Sequence, residues 1–191
     1  RGDRRHLHDR DVRILRQIVQ TKLILKMASN NEMVGIALDI QPDLVSLVPE
    51  QREELATEGG LDLITQNNAI AETVDTLQNS GIPVCILIDP NLDQIKLAHK
   101  INATMVEINT GIFCKAKKQK KSSQAFSNIV DTVKLAHKLK IGINAGHGLC
   151  YNTITAFKGL YEIEEFVAVQ TVSLSTPFGP PSDSVVVGRL G

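Results

Sequence analysis

Ile143-Asn144-Ala145-Gly146-His147-Gly148-Leu149 reads as an apolar strand running into a histidine bracketed by glycines. Glycine lets the backbone approach a ligand closely, and an imidazole held there moves a proton near neutral pH. The pattern recurs upstream. Val106-Glu107-Ile108-Asn109-Thr110-Gly111 puts a carboxylate on a strand ahead of a Thr-Gly turn. Ser46-Leu47-Val48-Pro49-Glu50 ends another strand and opens the loop that carries Thr57-Glu58-Gly59-Gly60. Strands that end in polar, glycine-rich loops are the layout of a parallel α/β enzyme, with its chemistry at the C-terminal strand ends.

Outward from these loops, helical and strand patterns alternate. Asp9 or Asp11 caps a helix reaching about Gln20, Lys22–Met27 is a short strand, and Asn30-Asn31-Glu32 opens a helix to Ile40. Pro42-Asp43 breaks that helix before the strand Leu44–Val48. Asn67–Asn79 has Ile70, Val74 and Leu77 at helical spacing and stops at Ser80-Gly81. Ile82–Ile88, Met105–Asn109 and Ile141–Asn144 are strands, while Leu92–Lys100, Ser122–Leu139 and Asn152–Lys158 are helices. Strict alternation with nearly all-apolar strands means a parallel sheet covered by helices. No GxGxxG or GxxxxGK[ST] follows a strand, so the nucleotide-binding open sheets lose ground to a (β/α)8 TIM barrel. About five to six of the eight strands are present, so the barrel is expected to be incomplete in this chain. The domain reading is a partial barrel over residues 1–166 and a divergent, irregular tail over 167–191, where Lys and Ile vanish and Pro180-Pro181 follows a Ser/Thr-rich run.

Composition narrows the function further. The 191 residues carry 21 Lys+Arg against 21 Asp+Glu, so no global field draws the chain to nucleic acid or to a membrane surface. The run Lys115-Ala116-Lys117-Lys118-Gln119-Lys120-Lys121 is a local exception and reads first as a solvated loop, second as an anion-attracting one. Cys85, Cys114 and Cys150 are far apart, which argues against a disulfide framework or a zinc site and suits a reducing cytoplasm. No apolar run reaches the length of a membrane span, and the first residues do not form a signal peptide. The start Arg1-Gly2-Asp3-Arg4-Arg5 reads as a loop already in progress.

Five motifs together resemble the pyridoxine 5'-phosphate synthases of bacterial vitamin B6 biosynthesis. They are Asp3-Arg4-Arg5-His6 with Asp9-Arg10-Asp11-Val12-Arg13, Leu47-Val48-Pro49-Glu50, Thr57-Glu58-Gly59-Gly60-Leu61-Asp62, Glu107-Ile108-Asn109-Thr110-Gly111, and Asn144-Ala145-Gly146-His147-Gly148-Leu149. Order and spacing match over about residues 1–165. The resemblance implies a (β/α)8 barrel, usually a homo-octamer in the cytoplasm. The implied reaction condenses 1-deoxy-D-xylulose 5-phosphate with 3-amino-2-oxopropyl phosphate, with release of phosphate and water. No metal or organic cofactor is implied. Such a sequence of imine formation, phosphate elimination and ring closure needs proton shuttles at neutral pH and donors for two phosphate esters.

By this resemblance His147 transfers protons, Gly148 offers a backbone donor near phosphate, and Glu107 orients the amine or a water. Thr57 hydrogen-bonds the sugar phosphate, and Arg1 and His6 close over its phosphate. Competing readings stand beside these: His147 as a turn residue satisfied by backbone, Glu107 as the partner of a neighbouring lysine, and Thr57 as a helix cap. The chain also departs from the family. Leu25-Lys26-Met27 stands where the family has Leu-Glu-Met with a catalytic Glu, so Lys26 marks an impaired base position. Asn109 stands where His is usual, Val169-Gln170 replaces a Gly-His phosphate site, and the first two strands are expected to be missing. The alternative function is therefore a non-catalytic remnant or fragment of the enzyme. A third reading, a different phosphate-binding barrel, rests on Lys26 as a Schiff-base nucleophile.

Overall fold

The computed structural model describes residues 8–50, 59–118, 123–171 and 185–188. In chain order these form α1 (Asp9–Ile18), β1 (Ile24–Met27), α2 (Asn31–Ile40), β2 (Leu44–Leu47), α3 (Leu63–Asn79), β3 (Val84–Ile88) and α4 (Leu92–Lys100). There follow β4 (Met105–Asn109), α5 (Gly111–Lys118), α6 (Ser123–Lys138), β5 (Gly142–Gly146), α7 (Tyr151–Ile154), a 3-10 turn at Thr155–Phe157, β6 (Glu165–Thr171) and β7 (Val185–Gly188). Strands β1 to β6 lie side by side in sequence order and run parallel, and β7 pairs antiparallel with the second half of β6.

Local chemistry sets the boundaries. Asn30, Asp62 and Asn91 each accept a hydrogen bond from a backbone N–H of the first helical turn, at Met33, Ile64 and Asp93. Helix α2 ends at Gln41, which is left-handed with φ 53°, and Pro42 prevents continuation. The outer face of the sheet meets the helices in one apolar core. Val45, Leu47, Val84, Ile86, Ile88, Val106, Ile108, Ile143 and Ala145 pack there against Ile70, Val74, Leu77, Ile95, Ile129 and Val133. Helix α1 docks through Arg13 to Asp39 and Arg16 to Asp43. Asp43 also accepts from the Leu23 N–H at 2.8 Å, and that hydrogen bond, with Arg16, holds its carboxyl below the usual range.

The sheet is strongly curled. Strands β1 and β6 would stand about 24 Å apart across a flat sheet, yet Lys22 Nζ, just ahead of β1, lies 3.7 Å from Glu165 Oε1 on β6. Lys26 on β1 likewise reaches Glu107 on β4 at 2.8 Å, although two strands intervene. Side chains standing perpendicular to a flat sheet would not meet so. Six parallel strands curled into a half-barrel with helices outside are the incomplete TIM barrel that the alternation predicts.

Three details differ from the sequence reading. Helix α3 starts at Leu63 rather than at residue 67, because Gln66 is non-helical (φ −113°, ψ 16°) and the regular spacing begins only beyond that kink. The lysine-rich run is helical through Lys118, forming the second half of α5. Strand β6 runs across the change of composition at 166/167, and residues 172–184 and 189–191 lie outside the described residues. Among the described residues, no helix is long and apolar enough to cross a membrane.

Candidate active site

The C-terminal ends of the strands carry the polar groups, and the parallel register decides which of them share the concave face. Lys26 lies opposite Ser46, Ser46 opposite Cys85, Leu87 opposite Glu107, and Glu107 opposite Asn144. Partners across a ladder point to the same side, as do residues two apart on one strand such as Cys85 and Leu87, so Lys26, Ser46, Cys85, Leu87, Glu107 and Asn144 all belong to the inward layer of the sheet. The register also gives Gly146 the place above Asn144 and beside Asn109.

Glu107 is the centre of this layer. Its side chain is 3% exposed, and both its oxygens accept from Lys26 Nζ, Oε1 at 2.9 Å and Oε2 at 2.8 Å. A carboxylate so enclosed needs a counter-charge, because its isolated burial costs several kcal/mol (about) even after relaxation. Lys26 supplies it, with 38% of its side chain still exposed. The sequence reading left open whether Glu107 pairs with a lysine, and Lys26 is that lysine. The carboxylate also rests on bare backbone: a Cβ at Gly146 would stand 2.4 Å from Glu107 Oε1. Nearby, burial and then the Glu107 charge push the Cys85 thiol far above its ordinary range, so it stays protonated. Ser46 Oγ and Asn144 Oδ1 are buried and have no protein partner, which leaves two orphaned polar atoms in the layer.

His147 follows Gly146 directly and adopts φ 71°, with Gly148 at φ 73°. Two successive left-handed residues turn the chain sharply off the end of β5. For a histidine that conformation costs about 1–2 kcal/mol, so surrounding contacts must impose it. The β4 end does so. Thr110 N–H donates to Gly146 O at 2.8 Å, and Thr110 Oγ1 lies 2.9 Å from Gly146 O and 2.7 Å from His147 O. The imidazole lies over Gly111, where a Cβ would be 2.8 Å from His147 Cδ2.

A second network fixes the loops around this turn. Asp89 Oδ1 accepts from Gly60 N–H and from Asn109 Nδ2, both at 2.9 Å, while Asn109 Oδ1 accepts from Gly111 N–H at 2.9 Å. Gly60 is required there, since a Cβ would fall 2.4 Å from the backbone of Ile88. Asp62 accepts from Ile64 N–H, Thr65 Oγ1 and Gln94 Nε2, and these bonds, led by Gln94, lower its carboxyl from the ordinary value. A cavity of about 400 Å³ opens beside the cluster at the ends of β1 and β2, lined by Ala28, Asn30, Pro49, Glu50, Gly60 and Asp62 among others.

Lys26 and Glu107 are thus in direct contact, and Glu107 rests on the residue that precedes His147 and Gly148. Arg1, His6 and Thr57 lie outside the described residues. Reading the sequence missed Thr110 as a contact of the His147 carbonyl and Asp89 as the hub of three loops. Both sit next to residues of the quoted motifs, so adjacency to a glycine-bracketed turn was the available signal. No group of three or more His, Cys, Asp or Glu residues suited to a metal ion occurs among the described residues.

Comparison with known proteins decides the family. The model of the family "Pyridoxal phosphate biosynthesis protein PdxJ" matches residues 1–172. The chain belongs to this family. It is 55% identical over 166 residues to the pyridoxine 5'-phosphate synthase of Desulforapulum autotrophicum, covering 87% of this chain and 70% of that protein. The Geobacter sulfurreducens pyridoxine 5'-phosphate synthase is 50% identical with the same coverage. Among solved structures, the FimX EAL domain of Xanthomonas citri overlays 80% of this PdxJ-family chain and 62% of its own length, with a TM-score of 0.57 at 10% identity. At that identity the overlay speaks to the fold alone. The relatives at 50–55% identity make the chain a member of a synthase family.

Proposed function

We propose that this chain carries out the pyridoxine 5'-phosphate synthase reaction, joining 1-deoxy-D-xylulose 5-phosphate to 3-amino-2-oxopropyl phosphate with loss of phosphate and water. One observation carries the reading beyond family membership. A buried carboxylate, Glu107, rests on the glycine that precedes a histidine held in a strained, glycine-bracketed turn, at the open end of a parallel half-barrel. Histidine is the side chain suited to giving and taking protons through such a multistep condensation. In this reading His147 transfers protons between intermediates, the Gly148 N–H donates to a phosphate oxygen, and Glu107 orients the amine of the aminoketone. Arg1, His6 and Thr57 hold the sugar phosphate. No metal or organic cofactor takes part, the partners are the two phosphorylated substrates, and the assembly is a cytoplasmic homo-oligomer.

Lys26 favours the second reading, a non-catalytic member. It occupies both oxygens of Glu107, so the amine must displace an ammonium already in place. The test is turnover: purified chain with both substrates, followed by phosphate release and by product absorbance. Phosphate release abolished by His147→Gln and lowered by Glu107→Gln supports the synthase. No release above the blank, with substrate binding intact by calorimetry, establishes the non-catalytic reading.

A further inference from the structure

Thr110 is fully buried directly after β4, hydrogen-bonds to the backbone of the His147 turn, and has no part in the chemistry above. Its backbone N–H donates to Gly146 O at 2.8 Å. Its hydroxyl carries one proton and has two carbonyls within reach, Gly146 O at 2.9 Å and His147 O at 2.7 Å. Since the N–H already serves Gly146 O, the hydroxyl proton belongs to His147 O, the shorter contact. That bond closes the carbonyl of a non-glycine residue at φ 71°, and the side chain making it is sealed from water. On the other side, the imidazole is set against Gly111, where even a methyl group would collide with Cδ2. Gly111 is itself pinned by Asn109 Oδ1. The ring is therefore held from two directions by consecutive residues of one strand end.

We infer that Thr110 is a positioning residue for His147, fixing the left-handed turn so that the imidazole projects from the β5 end at one angle, with Gly111 as its seat. This rests on the reading of His147 as the proton-transfer group. Hydrogen bonding from one side alone would leave the ring free to swing; the seat alone would leave the backbone free to relax to negative φ. A 1 Å misplacement of a reacting group costs up to about 100-fold in rate, so the effect belongs in kcat rather than in binding.

The experiment compares Thr110→Val, which keeps the shape and removes the hydroxyl, with Thr110→Ser, which keeps the hydroxyl. Two readouts are taken on the full chain: the His147 imidazole resonances through a pH titration, assigned with His147→Gln, and kcat and KM across pH. The charged and titratable groups facing the turn, Glu107, Lys26 and Cys114, are left unchanged. In Thr110→Val the His147 ring resonances and titration midpoint move, kcat falls roughly 10-fold to 100-fold with KM within about twofold, and Thr110→Ser restores both. If Thr110→Val melts earlier but its ring resonances and pH profile match the parent, Thr110 is structural only and the inference is overturned. Should Thr110→Val fail to fold, Gly111→Ala decides. It is expected to displace the ring resonances with the hydroxyl intact, and unmoved resonances overturn the inference. The ring titration needs no turnover, so an inactive parent would sink the synthase reading and still leave this one decided.

Discussion

Removing the ammonium from the Lys26–Glu107 pair tests how the inward layer is held together. Lys26→Met keeps most of the aliphatic stem and leaves a carboxylate 3% exposed with no counter-charge. Breaking a fully buried pair from one side costs about 3–5 kcal/mol. Because 38% of the Lys26 side chain meets solvent, screening reduces this to about 2–3 kcal/mol. At this chain length that lowers Tm by roughly 4–12 °C. The reciprocal change, Glu107→Gln, strands an ammonium that can turn toward water, so it costs about 1 kcal/mol or less. The double variant should lie near Glu107→Gln, since no charge is left unpaired. Denaturant unfolding of the four proteins closes the cycle, with an expected coupling of about 2–3 kcal/mol, the full cost of Lys26→Met. Additivity within roughly 0.5 kcal/mol would refute the reasoning, because it would mean that Glu107 does not need Lys26.

The remaining predictions follow from single contacts. Gly146→Ala places a methyl 2.4 Å from Glu107 Oε1 and 2.9 Å from Val167 Cβ, so it should lower Tm and, in the parent but not in Glu107→Gln, break the ion pair; thermal melts of both show this. Gly60→Ala meets the backbone of Ile88 at 2.4 Å and should cost more than Gly35→Ala, which has open space. Asp62 has a depressed folded carboxyl, so its contribution is present above the unfolded value near 3.9 and is lost as pH falls through the lower folded one; Asp62→Asn should flatten the fall of Tm below about pH 4. Thiol titration of the native chain should label Cys150 alone, because Cys85 and Cys114 are buried; three fast thiols would contradict this packing.

What the sequence made legible was what repeats along the chain. Strands β2 to β5 and helices α4 and α6 stand where the alternation of apolar runs, caps and breakers puts them, because each is decided by neighbours within a few residues. Helix α5 escaped because its lysines read as a solvated run, although Lys and Ala are good helix formers and Phe113 and Cys114 are its buried face. The start of α3 escaped through the irregular Gln66. Strand β6 escaped in part because its local pattern spans an abrupt change of composition. In the site, His147 and Glu107 announce themselves by type and by flanking glycines. Their company does not. Lys26 and Glu107 are 81 positions apart, and their meeting depends on how far four strands curl, which no local pattern encodes.

Lys26→Glu brings these strands of argument to one position. It replaces an ammonium 2.8 Å from Glu107 with a second carboxylate, so two like charges share a site that admits little water. Such a pair holds a proton between its members well above the ordinary carboxylate range. Stability should therefore fall further than in Lys26→Met and recover as pH is lowered, the reverse of the Asp62 dependence. If the family resemblance is right that a carboxylic acid is the working group at this position, that same shared proton is the general acid–base function Lys26 withholds. Turnover of Lys26→Glu should then rise at least about tenfold despite the lower Tm, within the range a positioned acid–base group contributes. Measured together, Tm and turnover moving in opposite directions support an impaired base position. A loss in both would mean that the ammonium is itself part of the working site, holding Glu107 until the amine replaces it.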